Sequence, residues 1–139
     1  MTIDDHLYKA ALKLLQSRYQ NGQLAGATAM YTEDGDILTS TYPYGEGVHQ
    51  RLCYETGAIC EAHKNNKRIV ASICLLRKTN SDQVLVIAPC GVCQERLFYW
   101  GGNVQVAIPD PKDPTHYIVK TLSEVQPHYW ASALDQAKK

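Results

Sequence analysis

The chain carries no net charge: Lys plus Arg number 14 and Asp plus Glu number 14. No global field therefore draws it to DNA or to a charged membrane surface, and a nucleic-acid partner is not expected. It has no apolar run approaching the ~20 residues of a membrane span. Its first residues, Met1-Thr2-Ile3-Asp4-Asp5-His6, lack the basic start and apolar stretch of a signal peptide. The expectation is a cytoplasmic protein, with no membrane partner, whose thiols stay reduced. Repeats, linkers and low-complexity segments are missing too. At 139 residues, 45% hydrophobic and 20% charged, the chain fits one domain, 1–139, with a core of its own. Five cysteines are an odd number, which excludes a complete set of intrachain disulfides.

The hydrophobic pattern alternates between helix and strand. Ile3, Leu7, Ala10, Ala11, Leu14 and Leu15 share one helical face over 3–20, and Asn21-Gly22 ends it. Strands are predicted near 25–32 and 36–41, with Glu33-Asp34-Gly35 as the turn between them. Residues 42–50 read as an irregular loop, 54–64 as a helix bringing Ala58, Ile59 and Ala62 inward, and 69–76 as a strand buried on both faces. A short strand over 84–88 leads into a helix over 91–99 that Gly101-Gly102 stops. A strand at 104–108, a loop at 109–114, a last strand at 117–119 and a helix carrying Trp130, Ala131 and Leu134 complete the reading. This order implies a three-layer α/β/α domain on one mixed sheet.

The residues that speak of chemistry are Cys53-Tyr54-Glu55 and Pro89-Cys90-Gly91-Val92-Cys93. Cys60 and Cys74 lie in apolar stretches and read as small core residues, which leaves Cys53, Cys90 and Cys93 to hold a metal. Three thiolates suit one zinc ion, and a catalytic zinc site keeps a fourth position for water. Zinc with three thiolates has a net charge of about −1, and the predicted helix starts at these cysteines would stabilise it through their N–H groups. Glu55, beside Cys53, is placed to carry protons to and from an activated water. Two other readings stand beside this one. The Cys-x-x-Cys pair could be a redox dithiol. The metal could instead be structural, with His49 or His63 as fourth ligand in a non-catalytic binding module with a closed site. His6, His116 and His128 read as solvated or edge residues.

At these residues the chain resembles the zinc-dependent cytidine deaminases, whose signature pairs a His- or Cys-x-Glu with Pro-Cys-x-x-Cys. The three-cysteine form is similar to the small, homotetrameric members and to the related blasticidin S deaminases. The likeness extends to Gly26-Ala27, the hairpin, Leu97 and the strand at 104–108. It implies a cytidine deaminase-like fold with a mixed five-stranded sheet and one zinc ion per subunit. The implied reaction is hydrolytic removal of ammonia from cytidine, deoxycytidine or a related amino-pyrimidine base, nucleoside or analogue. Glu55 would serve the ring nitrogen and the leaving amine, and the backbone around Tyr54 and Ala88 would line the base. A homotetramer or dimer is implied as well.

Departures from the family pattern fall on substrate recognition and charge. Tyr42 and Tyr44 stand near the positions of the Asn and Glu that bind ribose, with Glu46 as a substitute acid. Thr56 and Gln94 occupy positions where arginine is frequent, so Arg51 or Arg96 would have to offset the thiolate charge. The phenylalanine before Gly-Ala is replaced by Gln23-Leu24-Ala25. Tyr42, Tyr44, Tyr54, Tyr129 and Trp130 are the aromatics available to rebuild that wall.

Overall fold

The computed structural model describes residues 2–44 and 51–137, the last three by backbone alone. Glu46, His49 and most of the loop expected at 42–50 lie outside the described residues. The first helix, α1 (Asp5–Arg18), begins where Asp4 accepts a hydrogen bond from the Leu7 N–H at 3.0 Å. An acid in its first turn and Arg18 in its last both suit the helix dipole. Leu7, Ala11 and Leu15, one turn apart, are fully buried, as the pattern predicts.

The strand β1 (Ala25–Thr32) is buried at every position, and the edge strand β2 (Ile37–Ser40) pairs antiparallel with it. Between them the chain turns at Gly35, whose φ of 87° lies in the left-handed region open to glycine. After α2 (Thr56–Lys64) comes β3 (Ile69–Arg77), the centre of the sheet. One edge of β3 pairs antiparallel with β1 along its length. The other edge is shared: Ala71 and Ser72 pair parallel with β5 (Gln105–Asp110), while 74–77 pair antiparallel with β4 (Val84–Ile87). With the last strand, β6 (Asp113–Thr121), the sheet is mixed, in the order β2-β1-β3-β5-β6 with β4 beside β3 as a sixth strand.

Helices cover both faces. On one side α1 packs against Ala25, Ala27, Ala29, Ala71, Ile73 and Leu75, a surface of mostly small side chains that lets the helix approach closely. On the other side α2 and α3 (Gly91–Leu97) meet Met30, Ile69, Val104 and Val106. This is the three-layer arrangement expected, and burial on both faces is why β1 and β3 show no polar alternation.

Three local expectations change. The segment 109–114 is not a loop: Pro109 ends up in β5 and Pro114 in β6 (Asp113–Thr121), which is also longer than the strand expected at 117–119. Pro109 is tolerated because β5 leaves β3 after Val106, so one side of the strand has no ladder to interrupt. A short helix, α4 (Leu122–Val125), follows directly, nucleated by a capping box between Thr121 and Glu124. The last helix, α5, is Ser132–Ala137, so Trp130 and Ala131 precede it and Trp130 is 66% exposed.

The cap of α1 yields a pH-dependent expectation. The Leu7 N–H, then the Tyr31 hydroxyl at 2.8 Å, hold the Asp4 carboxyl below its ordinary range. A depressed carboxylate stabilises fully above its unfolded value and loses that contribution as pH falls through the folded one. Asp4→Ala is expected to lower the urea midpoint at neutral pH, with the gap to the parent protein narrowing on acidification through that range.

Candidate metal centre

The two cysteine motifs lie far apart in sequence and are brought together by the sheet. The strand β4 delivers Ala88, Pro89 and Cys90 to the N-cap of α3, and Cys93 follows in the first turn. Opposite, Cys53 and Tyr54 precede α2, and Glu55 is its N-cap. Cys53 thus stands just before its helix, whereas Cys90 caps the other. The turn carrying Cys53 is held from the hairpin: Ser40 Oγ, at the end of β2, donates to the Tyr54 carbonyl. Thr41 Oγ1 donates to the Gly26 carbonyl and is itself bonded to Tyr19 Oη at 3.0 Å. Gly26 is required here, because a Cβ would overlap the Tyr54 ring.

The sulfur atoms of Cys53, Cys90 and Cys93 lie within 4.8 Å of one another, and Cys53 and Cys90 are 3.0 Å apart. Tetrahedral ligation with Zn–S near 2.3 Å needs sulfurs separated by roughly 3.8 Å, so changes of at most about 1 Å in their separations bring all three onto one ion. Burial graded from Cys90 (exposed) through Cys53 (half-buried) to Cys93 (buried) leaves one side of the cluster open. Partial burial pushes the Cys90 thiol up, but the Cys53 thiol and the N–H groups of Cys93 and Val92 outweigh it, and Cys90 titrates below its ordinary range. Burial, then the Cys90 thiol, pushes Cys53 up, while burial and the Glu55 charge push Cys93 up more strongly. Cys90 is thus the readiest of the three to lose its proton, and a bound cation favours that loss at all three. The donor set fits a single zinc ion per chain.

Glu55 is 3% exposed, and its side chain makes no capping bond to α2 despite its N-cap position. Burial raises its carboxyl above the ordinary range, opposed by its own N–H, the Cys74 and Cys93 thiols and the Arg96 charge. The carboxyl is therefore turned inward beside the sulfurs. A cavity of about 290 Å³ opens over this group, lined by Arg51, Leu52, Cys53, Tyr54, Glu55, Ile87, Ala88 and Cys90. That size suits a small polar molecule.

Of the two arginines considered for charge, Arg96 reaches the cluster. Its Nη1 donates to Thr56 Oγ1 at 3.1 Å and lies 4.0 Å from Cys93 Sγ, so it joins the starts of both ligand-bearing helices. Arg51 lies 4.2 Å over the Tyr44 ring at the cavity edge. Tyr54 is buried against Gly26, and its Oη makes no well-formed hydrogen bond among the described residues. Tyr42 is half-buried and Tyr44 exposed, just before the undescribed segment that contains Glu46.

Several expectations are displaced. His63 is not among the side chains converging on the metal; it stacks on Trp100 at 4.6 Å and meets Tyr99 edge-on at 4.7 Å. Tyr129 stacks on Phe98 at 3.7 Å, and Trp130 Nε1 donates to Glu95 at 2.9 Å. Both aromatics belong to the surroundings of a second, wider cavity of about 530 Å³ that contains none of the three sulfurs. Cys60, read as a core residue, is exposed on that cavity, because it falls on the outer face of α2. Gln94 has a role that its sequence position did not signal: its Nε2 donates to the Pro89 carbonyl at 2.7 Å, bracing the turn into Cys90.

Because metal binding is coupled to folding, Cys90→Ala is expected to bind no stoichiometric zinc and to lose several kcal/mol of stability, of order ~3–5. Metal analysis after dialysis, together with chemical denaturation, checks both.

No protein-family model matches the chain, and no curated protein does. Solved structures do. The fold is similar to that of the cytidine deaminase from Bacillus anthracis, with a TM-score of 0.84 and 46% identity, over 95% of this chain and 92% of that one. The cytidine deaminase from Mycobacterium leprae shares the fold with a TM-score of 0.66 and 24% identity, over 89% of this chain and 97% of that one. That from Burkholderia pseudomallei does so with a TM-score of 0.67 and 18% identity, over 92% and 100%. With a Cys₃ cluster built for zinc, a buried glutamate beside it and near-complete coverage at that first identity, the chain belongs to the cytidine deaminase family.

Proposed function

We propose that this chain is a zinc-dependent hydrolase that removes the amino group of a cytidine-like amino-pyrimidine as ammonia. The observation that carries the reading is the buried Glu55 carboxyl beside three convergent sulfurs at the base of a cavity of about 290 Å³. A zinc ion on these sulfurs supplies Lewis acidity that makes water a nucleophile near neutral pH.

The chain's own residues do the rest. Glu55, buried beside the sulfurs, is the proton carrier. It takes one proton of the attacking water and places it on the ring nitrogen. It then conveys the second to the exocyclic amine. The carbon keeps the water oxygen as a carbonyl, the C–N bond breaks, and ammonia leaves. Ile87 and Ala88 form an apolar wall, Arg51 offers a polar contact at the cavity, and the backbone around Tyr54 and Ala88 lines the base. We extend the substrate contacts to Tyr42 and Tyr44, and to Glu46 beyond the described residues. The absence of net charge and the size of the cavity support a small molecule over a nucleic acid.

Arg96 offsets the excess negative charge of three thiolates, a role supported by its bridge between Thr56 and Cys93. The reading includes a single domain spanning 1–139, a cytoplasmic setting and a homotetramer or dimer. Exposed Val92, Tyr99 and Trp130 support association, as apolar surface the fold leaves uncovered. No helix among the described residues is long and apolar enough to cross a membrane.

The direct test offers zinc-loaded protein cytidine, deoxycytidine, cytosine, blasticidin S and modified cytosines and measures ammonia. Release from at least one is expected, with Glu55→Gln lowering kcat by ~10²–10⁴-fold while zinc content stays at one per chain. Ammonia from none of them, or full turnover in Glu55→Gln, contradicts the reading. For Arg96, competition with a chelator is expected to show zinc held about tenfold less tightly in Arg96→Gln. Arg96→Lys should recover part of that loss, and Arg51→Gln should show none.

A further inference from the structure

Of the two arginines near the metal centre, Arg96 serves the thiolates, and it lines the wider cavity rather than the one over Glu55. Arg51 lines the cavity over Glu55, and among the described residues no carboxylate lies within ion-pair distance of it. Its guanidinium carbon sits 4.2 Å over the centre of the Tyr44 ring. A guanidinium resting on an aromatic face keeps the N–H groups of its rim for a ligand, and the ring limits in advance the rotamers of a long side chain. Arg51 is exposed whereas Glu55 is buried, so the guanidinium marks the outer end of the cavity and the carboxyl its base.

The rest of the lining restricts what that outer end can hold. Cys53, Cys90 and Glu55 belong to the reacting end, and Leu52, Ile87 and Ala88 are apolar. The Tyr54 hydroxyl is shut away from solvent. No Asn, Gln, Ser, Thr or second acid is among the described residues that line the cavity. Sugar hydroxyls, which donate as well as accept, would therefore meet no such side-chain acceptor at the outer end. A guanidinium only donates, in a planar fork that matches a carboxylate or a phosphate. Charge points the same way. Three thiolates leave a zinc centre at about −1, so an anionic substituent entering this cavity would be repelled unless a fixed cation faced it. Arg51 is that cation.

We infer that Arg51 determines specificity, and that the substrate is an amino-pyrimidine whose far end carries an oxyanion, a carboxylate or a phosphate, held by this guanidinium. The inference deepens the proposed deamination and rests on it, because that reaction brings the amino-pyrimidine to the sulfurs.

Matched compounds separate charge from shape. Cytosine carboxymethylated at the ring nitrogen that carries the sugar in nucleosides, set against the corresponding carboxamide, tests the carboxylate. The monophosphates of cytidine and deoxycytidine, set against the two nucleosides, test the phosphate. Calorimetric binding to zinc-loaded Glu55→Gln protein reads recognition without turnover, and ammonia release by the parent protein reads the reaction. At least one anion is expected to bind about tenfold more tightly than its neutral partner, with kcat/KM higher by a similar factor. Adding Arg51→Gln should bring both ratios to about one or below, while Arg51→Lys, which keeps the charge without the fork, should retain part of the preference. Neutral partners that bind as well as both kinds of anion overturn the inference. So does a preference for anions that survives Arg51→Gln, the result expected if the anion sits on the metal instead. Ammonia from neutral compounds alone sustains the reaction and overturns the inference. Ammonia from no compound overturns the proposed reaction, and the binding ratio with its dependence on Arg51 still decides whether the cavity holds an anion.

Discussion

Three sulfurs and a carboxyl share one small, partly buried volume, and the rest of the structure is arranged around that concentration of acidic groups. Without a cation they could not all ionise, since desolvation and mutual repulsion both oppose it. Burial raises Cys53, Cys93 and Glu55 together, whereas Cys90 alone is lowered, by the Cys53 thiol and then by the N–H groups at the start of α3. A divalent ion relieves the conflict at one stroke. The Arg96 guanidinium, joining Thr56 to the neighbourhood of Cys93, places a fixed positive charge where one more is needed.

The fold supplies the stiffness such a site requires. The strand β3 carries β1 on one edge and both β4 and β5 on the other, so the strand that delivers Cys90 is registered against the sheet's centre. Hydrogen bonds from Ser40 to the Tyr54 carbonyl and from Gln94 to the Pro89 carbonyl fasten the two ligand turns to different parts of the frame. The close contact of Tyr54 with Gly26 fills the space beneath the first turn. Function here depends on positions fixed by strands and helix starts.

What could be read in the sequence follows from how local each feature is. The face of α1 shows in its spacing because Leu7, Ala11 and Leu15 need only one helix to align them. The metal ligands show because Pro89 to Cys93 is a contiguous segment and Cys53-Tyr54-Glu55 another. Cys74 reads as a small core residue and is 2% exposed, but its neighbours Thr28 and Ile87 do not show, since strand register across three separate strands chooses them. Cys60 was misplaced for a related reason: an apolar stretch on an amphipathic helix has an outer face, and Cys60 lies on it. His63 looked available as a ligand until its helix turned it to Trp100. The hairpin through Pro109 and Pro114 was hidden because proline argues against a strand unless the neighbouring edge is already open.

The central claim is that this centre holds its metal with three cysteines and leaves the fourth position for a reactant. X-ray absorption at the zinc edge of the loaded protein tests it without reference to any substrate. The account requires three sulfur neighbours near ~2.3 Å and a single oxygen-type neighbour near ~2.0 Å, with no imidazole outer shell. A fourth sulfur, or the scattering pattern of a coordinated histidine, would show a closed structural site and contradict it.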